Sequence, residues 1–139
     1  MVILVDTNII LDVITKREPF AAESRKVLEL CARQELKGYI AFHSVSNIFF
    51  ILRKMFSNKE RRLLLHGILQ VLTVAGASHE KVLTALEQED FADFEDCLQE
   101  KCAEEVSAEF IITRNAGDYG SSTIQAVTPH DFLRRLGYR

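Results

Sequence analysis

A run of four apolar residues, Val2-Ile3-Leu4-Val5, meets Asp6-Thr7-Asn8 with no spacer between them. The run is too short for a helix, and its lack of alternation suits a strand covered on both faces, as in a parallel sheet. Asp6, Thr7 and Asn8 are residues that start helices. Strand, turn and helix are thus compressed into the first fourteen residues. That pattern repeats along the chain and points to an α/β fold.

Tyr39–Phe42, Leu72–Ala75, Glu109–Thr113 and Gln125–Val127 read as further short strands. Between them lie amphipathic stretches. The one from Ala21 to Leu36 is expected to close at Gly38. A helix capped by Ser44 or Ser46 runs to Met55. Ser57-Asn58-Lys59-Glu60 is a capping box. Glu80–Glu89 and Asp93–Val106 are helical. Polar Arg114–Ser122, with two glycines, reads as loop. Thr128-Pro129-His130-Asp131 opens the last helix with a cap, a proline in the first turn and an acid at the third position. Short strands alternating with helices imply a three-layer α/β/α sandwich with a mostly parallel central sheet of four to five strands. Residues 1–139 read as one domain, a size that buries about two-thirds of the unfolded chain's surface without staples.

Composition removes several classes. Lys and Arg number 17 against 20 Asp and Glu, for a net charge of −3, which is unlike a basic sliding nucleic-acid binder. It is compatible with an enzyme whose acidic centre offsets basic residues elsewhere. Cys31, Cys97 and Cys102 lack CxxC spacing and read as reduced thiols. No stretch reaches the length of a membrane span, and the start lacks a signal-peptide pattern. The reading is a soluble, cytoplasmic protein with no membrane partner.

Ligands of open parallel sheets bind beyond the carboxyl ends of the strands. Asp6, Thr7 and Asn8 follow the first strand, Ser44, Ser46 and Asn47 the second, and Thr113, Arg114, Asn115 and Asp118 the fourth. Asp93 and Asp96, three apart, share one helix face in the first turn, where the dipole favours carboxylates. Capping alone would explain either one. Three carboxylates within 4 Å repel by about 4 kcal/mol per pair at an effective dielectric near 20, so a gathering of them calls for a cation or a shared proton. Oxygen ligands without His or Cys select Mg²⁺ or Mn²⁺.

Four segments then resemble one family in register. Val2–Asn8 is similar to the opening strand of PIN-domain proteins. Asp93-Phe94-Glu95-Asp96-Cys97-Leu98-Gln99 resembles their central acidic helix. Phe110–Asn115 with Asp118-Tyr119 resembles their fourth strand and loop, and Thr128–Leu133 their ending. The resemblance covers nearly the whole chain. It implies a metal-dependent nuclease, commonly a ribonuclease, and often the VapC-type toxin of a toxin–antitoxin pair. RNA, an antitoxin protein and a second copy are then the implied partners.

Carried over by residue, the resemblance makes Asp6 and Asp96 central ligands of Mg²⁺ or Mn²⁺, completed by Asp118 or Asn115. Asp93 stands as a ligand or beside one, and Asp12 points toward the group. Thr7, Asn8 and Thr113 orient ligands or substrate, and Arg114 meets a phosphate in bidentate fashion. A metal on Asp6 and Asp96 is implied to activate water for in-line hydrolysis. Many relatives carry a glutamate where this chain has Asn47, and an aspartate where it has Asn115. The amide-bearing pattern reads as a branch of the family.

Other readings compete. A degenerate PIN domain would bind RNA or protein without cutting. A haloacid-dehalogenase-like phosphatase needs a second aspartate where Asn8 stands. A nucleotide-binding module lacks GxGxxG and Walker loops. Lys16, Arg17, Arg53, Lys54, Lys59, Arg61 and Arg62 offer either an RNA path or plain solvated surface. The four histidines show no metal spacing. Phe49 and Phe50, and Leu63 to Leu65, read as core or partner contact.

Overall fold

A computed structural model describes residues 1–91 and 93–138. The strands are β1 (Val2–Val5), β2 (Lys37–Ala41), β3 (Thr73–Ala75), β4 (Phe110–Ile112) and β5 (Gln125–Val127). They form one parallel sheet in the order β3-β2-β1-β4-β5. The helices are α1 (Thr7–Ile14), α2 (Ala21–Ala32), α3 (Phe42–Ile51), α4 (Asn58–Ile68), α5 (His79–Glu87), α6 (Phe94–Glu105) and α7 (Pro129–Arg135).

The period of two along β1 divides the core. Ile3 and Val5 join Ile9, Ile10, Val27, Leu30, Ile48, Leu65 and Phe132 on one face, under α1, α2, α3, α4 and α7. Leu4 faces the other way, with Ala85, Phe91, Cys97, Cys102 and Tyr119 under α5 and α6. Three layers result, with β1 buried on both sides as its unbroken apolar run requires. Among the described residues no helix is long and apolar enough to cross a membrane.

Local signals account for most helix starts. Ser57 and Glu60 form the reciprocal capping box of α4, and the Thr128 side chain accepts from the Asp131 amide at the head of α7. Three expectations need correction. First, α2 closes at Ala32, not Gly38, and the chain reverses through Gln34 at φ 63°. Gly38 instead sits inside β2, where a Cβ would lie 2.6 Å from both Cys31 Sγ and Leu72 Cδ2. The glycine is needed there for close packing of strand against helix. Second, neither Ser44 nor Ser46 caps α3. The strand ends at Ala41, which is itself the N-cap without a side-chain bond, and Phe42 already belongs to the helix. Third, Arg114–Ser122 is not all loop, since Ala116–Tyr119 forms a 3₁₀ turn.

The Leu63–Leu65 run splits across faces, with Leu65 in the core and Leu63 on the surface. Arg53 and Arg61 stack on Phe50 and Phe49, with guanidinium carbons 3.8 and 4.1 Å from the ring centroids. All three cysteines are free and buried. Burial pushes the Cys31 and Cys102 thiols up to about 11, which keeps them protonated and unreactive.

Candidate active site

The sheet order reverses direction between β1 and β4. The Asp6 amide donates to the Ile112 carbonyl at 2.9 Å, and the Thr113 amide to the Val127 carbonyl at 2.9 Å. Asp6 and Thr113 therefore emerge side by side from adjacent strand ends, at the switch point where open α/β sheets place their ligands.

Asp6 caps α1 and is nearly buried. Its Oδ1 accepts from the Thr7 amide at 2.7 Å. Its Oδ2 accepts from Thr113 Oγ1 at 2.8 Å and from the Tyr119 hydroxyl at 3.1 Å. The same hydroxyl lies 3.3 Å from Asp96 Oδ1. Asp6 and Asp96, ninety residues apart in sequence, thus meet on a single phenol. Burial raises the Asp6 pKa even though the Thr113, Thr7 and Tyr119 bonds and nearby His43 oppose it. Asp96 is pushed up to about 7, first by burial, then by the charges of Asp6, Asp93 and Asp118, against the Tyr119 bond. Burial and the two carboxylates drive the Tyr119 hydroxyl far above the usual range, so it remains a donor.

Asp93 is exposed and caps α6, its Oδ1 accepting from the amides of Glu95 and Asp96 at 2.8 and 3.4 Å. Asp118 lies on the exposed side of the 3₁₀ turn, close enough for its charge to act on Asp96. Asn8 links the rim to the next loop. Its Nδ2 donates to Thr113 Oγ1 at 3.3 Å, and its Oδ1 accepts from the Arg114 amide at 3.2 Å. The Asn115 amide donates to Thr113 Oγ1 at 3.2 Å. Thr7 Oγ1 donates to Ser44 Oγ at 2.7 Å, and buried Gln99 donates to the same Ser44 oxygen at 2.7 Å. Asn47 is half-buried on α3.

Asp12 and Arg114 pair with each other beside this cluster. Arg114 Nε lies 3.1 Å from Asp12 Oδ2, a close ion pair without hydrogen-bond alignment. The guanidinium also sits 4.6 Å from the Phe20 ring centre. Both residues line a cavity of about 280 Å³ with Ile9, Pro19, Phe20 and Ser24. The pair faces that cavity, and the rim bonds of Asp6 run through Thr113 instead.

Sequence reasoning assigned no role to Tyr119, Gln99 or His43. His43 stands at the start of α3, where burial lowers its pKa against the opposing pull of Glu95 and Asp6. Only the strand-end position of Ser44 hinted at the polar network that ties α3, α1 and α6 together.

Among the described residues, no group of three or more His, Cys, Asp or Glu is gathered tightly enough to hold a metal ion. A hard cation does not require such a cage. Mg²⁺ keeps several waters and is bound through one or two carboxylates. Asp6 and Asp96 supply two carboxylates that meet on one phenol, and the charge of Asp6 acts on Asp96. The donor set therefore fits Mg²⁺ or Mn²⁺.

The raised Asp96 pKa has a consequence for stability. The unfolded carboxyl ionises near pH 4, while the folded one keeps its proton to about 7. The native state binds the extra proton in that window, so stability falls as pH rises from about 4 to about 7. In EDTA, Asp96→Asn should exceed the parent in unfolding free energy at pH 8 by about 2 kcal/mol, after discounting for partial solvent access. At pH 4 the difference should shrink. Urea titrations at both pH values check this, and an unchanged difference would contradict the assignment of the charge.

The PIN domain family matches residues 2–117. No curated protein sequence matches the chain significantly. Solved structures that share the fold include the following three. VapBC2 from Rickettsia felis, bound to a DNA fragment from its promoter, aligns at TM-score 0.70 and 20% identity, covering 92% of this chain and 98% of that one. VapBC-1 from nontypeable Haemophilus influenzae aligns at 0.68 and 15%, covering 94% and 99%. VapC20 from Mycobacterium tuberculosis, a Sarcin-Ricin loop cleaving toxin, aligns at 0.62 and 13%, covering 78% and 86%.

Proposed function

Because the chain belongs to the PIN-domain family, we propose that it is a Mg²⁺- or Mn²⁺-dependent endoribonuclease and the toxin of a toxin–antitoxin pair. The observation that carries this reading is the meeting of Asp6 and Asp96 on the Tyr119 hydroxyl at the sheet's switch point. Asp6 and Asp96 would hold the cation, with Asp118 and Asp93 adding negative charge at the rim. When bound, the metal would polarise a phosphate oxygen and lower the pKa of its water.

The chain's own residues supply the rest. Thr113 and the Thr7 amide fix the Asp6 carboxylate before substrate arrives. Ser44 and Gln99 brace Thr7 from behind. Asn8 sets the path of the 113–115 loop through its bonds to Thr113 and the Arg114 amide. Arg114 is held by Asp12 and Phe20, next to the rim, where its remaining donors can meet an RNA phosphate.

The family and the fold shared with VapBC assemblies support an antitoxin protein and a second copy of this chain as partners. RNA as substrate rests on the family resemblance, and the fold shared with VapC20, a Sarcin-Ricin loop cleaving toxin, supports a cleaving activity. A second reading, a PIN domain that binds without cutting, is favoured by Asn47, which brings no charge where many relatives have glutamate.

The test is incubation of the purified protein with single-stranded RNA in Mg²⁺, in Mn²⁺ and in EDTA. Cleavage in either metal that EDTA stops is the expected result. RNA retained but uncut in all three conditions would favour the second reading.

A further inference from the structure

Tyr119 is 4% exposed, and its hydroxyl is in contact with both rim carboxylates. Its ring stands edge-on to Phe91, with centroids 6.4 Å apart and planes at 82°. The 3₁₀ turn Ala116–Tyr119 delivers it from the loop after β4. A phenol has one proton, so its hydroxyl can donate to only one of the two carboxylates at a time.

Counting acceptor positions shows what that proton does. A carboxylate offers about four lone-pair sites, two on each oxygen. On Asp6, Oδ2 is filled by Thr113 and Tyr119, and Oδ1 holds the Thr7 amide. One site remains, on Oδ1. When the phenol proton turns to Asp96 instead, it fills one site of Oδ1 there and frees one on Asp6 Oδ2. The phenol thus takes a site on Asp6 Oδ2 or on Asp96 Oδ1 at any moment, and leaves the second oxygen of each carboxylate untouched.

The geometry points to Tyr119 as a positioning residue whose hydroxyl selects which carboxylate oxygens of Asp6 and Asp96 are left to meet a divalent cation. This rests on the proposed metal-dependent reading. Without the hydroxyl, Asp6 Oδ2 and Asp96 Oδ1 lose the donor they share, and the Asp96 side chain is free to turn away. Loss of a group that orients metal ligands typically weakens metal affinity about 10- to 100-fold.

Tyr119→Phe keeps the ring and its packing. Calorimetric titration of Mn²⁺ into the full chain and into this variant should show a dissociation constant at least about tenfold weaker in the variant. Melting temperatures in EDTA should stay close, and RNA cleavage at saturating Mn²⁺ should recover most of the parent rate. Equal Mn²⁺ affinity in parent and variant, with the parent binding and cutting, overturns the role of Tyr119 and leaves the nuclease reading standing. A variant that melts much lower in EDTA and is not restored by excess Mn²⁺ also overturns it, because the hydroxyl is then structural. A parent without saturable Mn²⁺ binding overturns both.

Discussion

Asp6→Asn and Asp96→Asn are each expected to lower metal-dependent RNA cleavage by on the order of a thousandfold or more, with the fold intact. The size follows from what is lost. Each substitution removes one of the two carboxylates on which the cation would rest, and electrostatic stabilisation at a preorganised site contributes several kcal/mol to a barrier. The fold should survive because Asn is nearly isosteric with Asp and its one carbonyl oxygen still accepts the Thr7 amide that caps α1, although the bond from Thr113 to the other oxygen is lost. Single-turnover cleavage of a labelled RNA, with circular dichroism on the same samples, measures both halves. Variants that cut at the parent rate would show that the chemistry sits elsewhere.

Glu100→Ala is expected to cost about 3–5 kcal/mol of stability, near the lower end of that range. Glu100 is fully buried on α6, and its Oε1 lies 2.9 Å from Lys101 Nζ. Its Oε2 accepts from the Thr123 amide at 2.9 Å and so fastens the segment before β5 to the helix. Removing the carboxylate strands a buried ammonium, whose other partner, Glu104, stands at 3.5 Å. That remaining contact is why the lower end is expected. Burial works against the Glu100 charge, yet the bonds from Lys101, Thr123 and Ser122 hold its carboxyl below the usual range. Its stabilisation is therefore present above the unfolded pKa, near 4, and is lost as pH falls through the folded value. Urea unfolding at pH 7 measures the loss, and a change below about 1 kcal/mol would contradict the buried-pair account.

The fold was legible wherever a signal is local. The apolar run Val2–Val5 is β1 residue for residue, Ser57 and Glu60 cap α4, and Thr128 with Pro129 opens α7. The errors arose where a long-range contact decides. Gly38 has the look of a helix stop, but its role is set by Cys31 and Leu72 across the layer. Ser44 has the chemistry of a cap, yet its partners are Thr7 and Gln99, 37 and 55 residues away. The site divides in the same way. Asp6 and Asp96 could be picked out because each sits at a signalled boundary, a strand end and a helix start. Tyr119 could not, since nothing nearby in sequence says that a 3₁₀ turn aims its hydroxyl between two distant carboxylates. Asp12 and Arg114 carry suitable charges, and only the folded chain shows Asp12 paired with Arg114 through one guanidinium nitrogen.

The most direct measurement is anomalous diffraction at the manganese edge from crystals of the protein grown with MnCl₂. The account predicts a peak within coordination distance, about 2.0–2.3 Å, of carboxylate oxygens from both Asp6 and Asp96. Manganese bound only at other residues, or a rim left empty at saturating Mn²⁺, would contradict it.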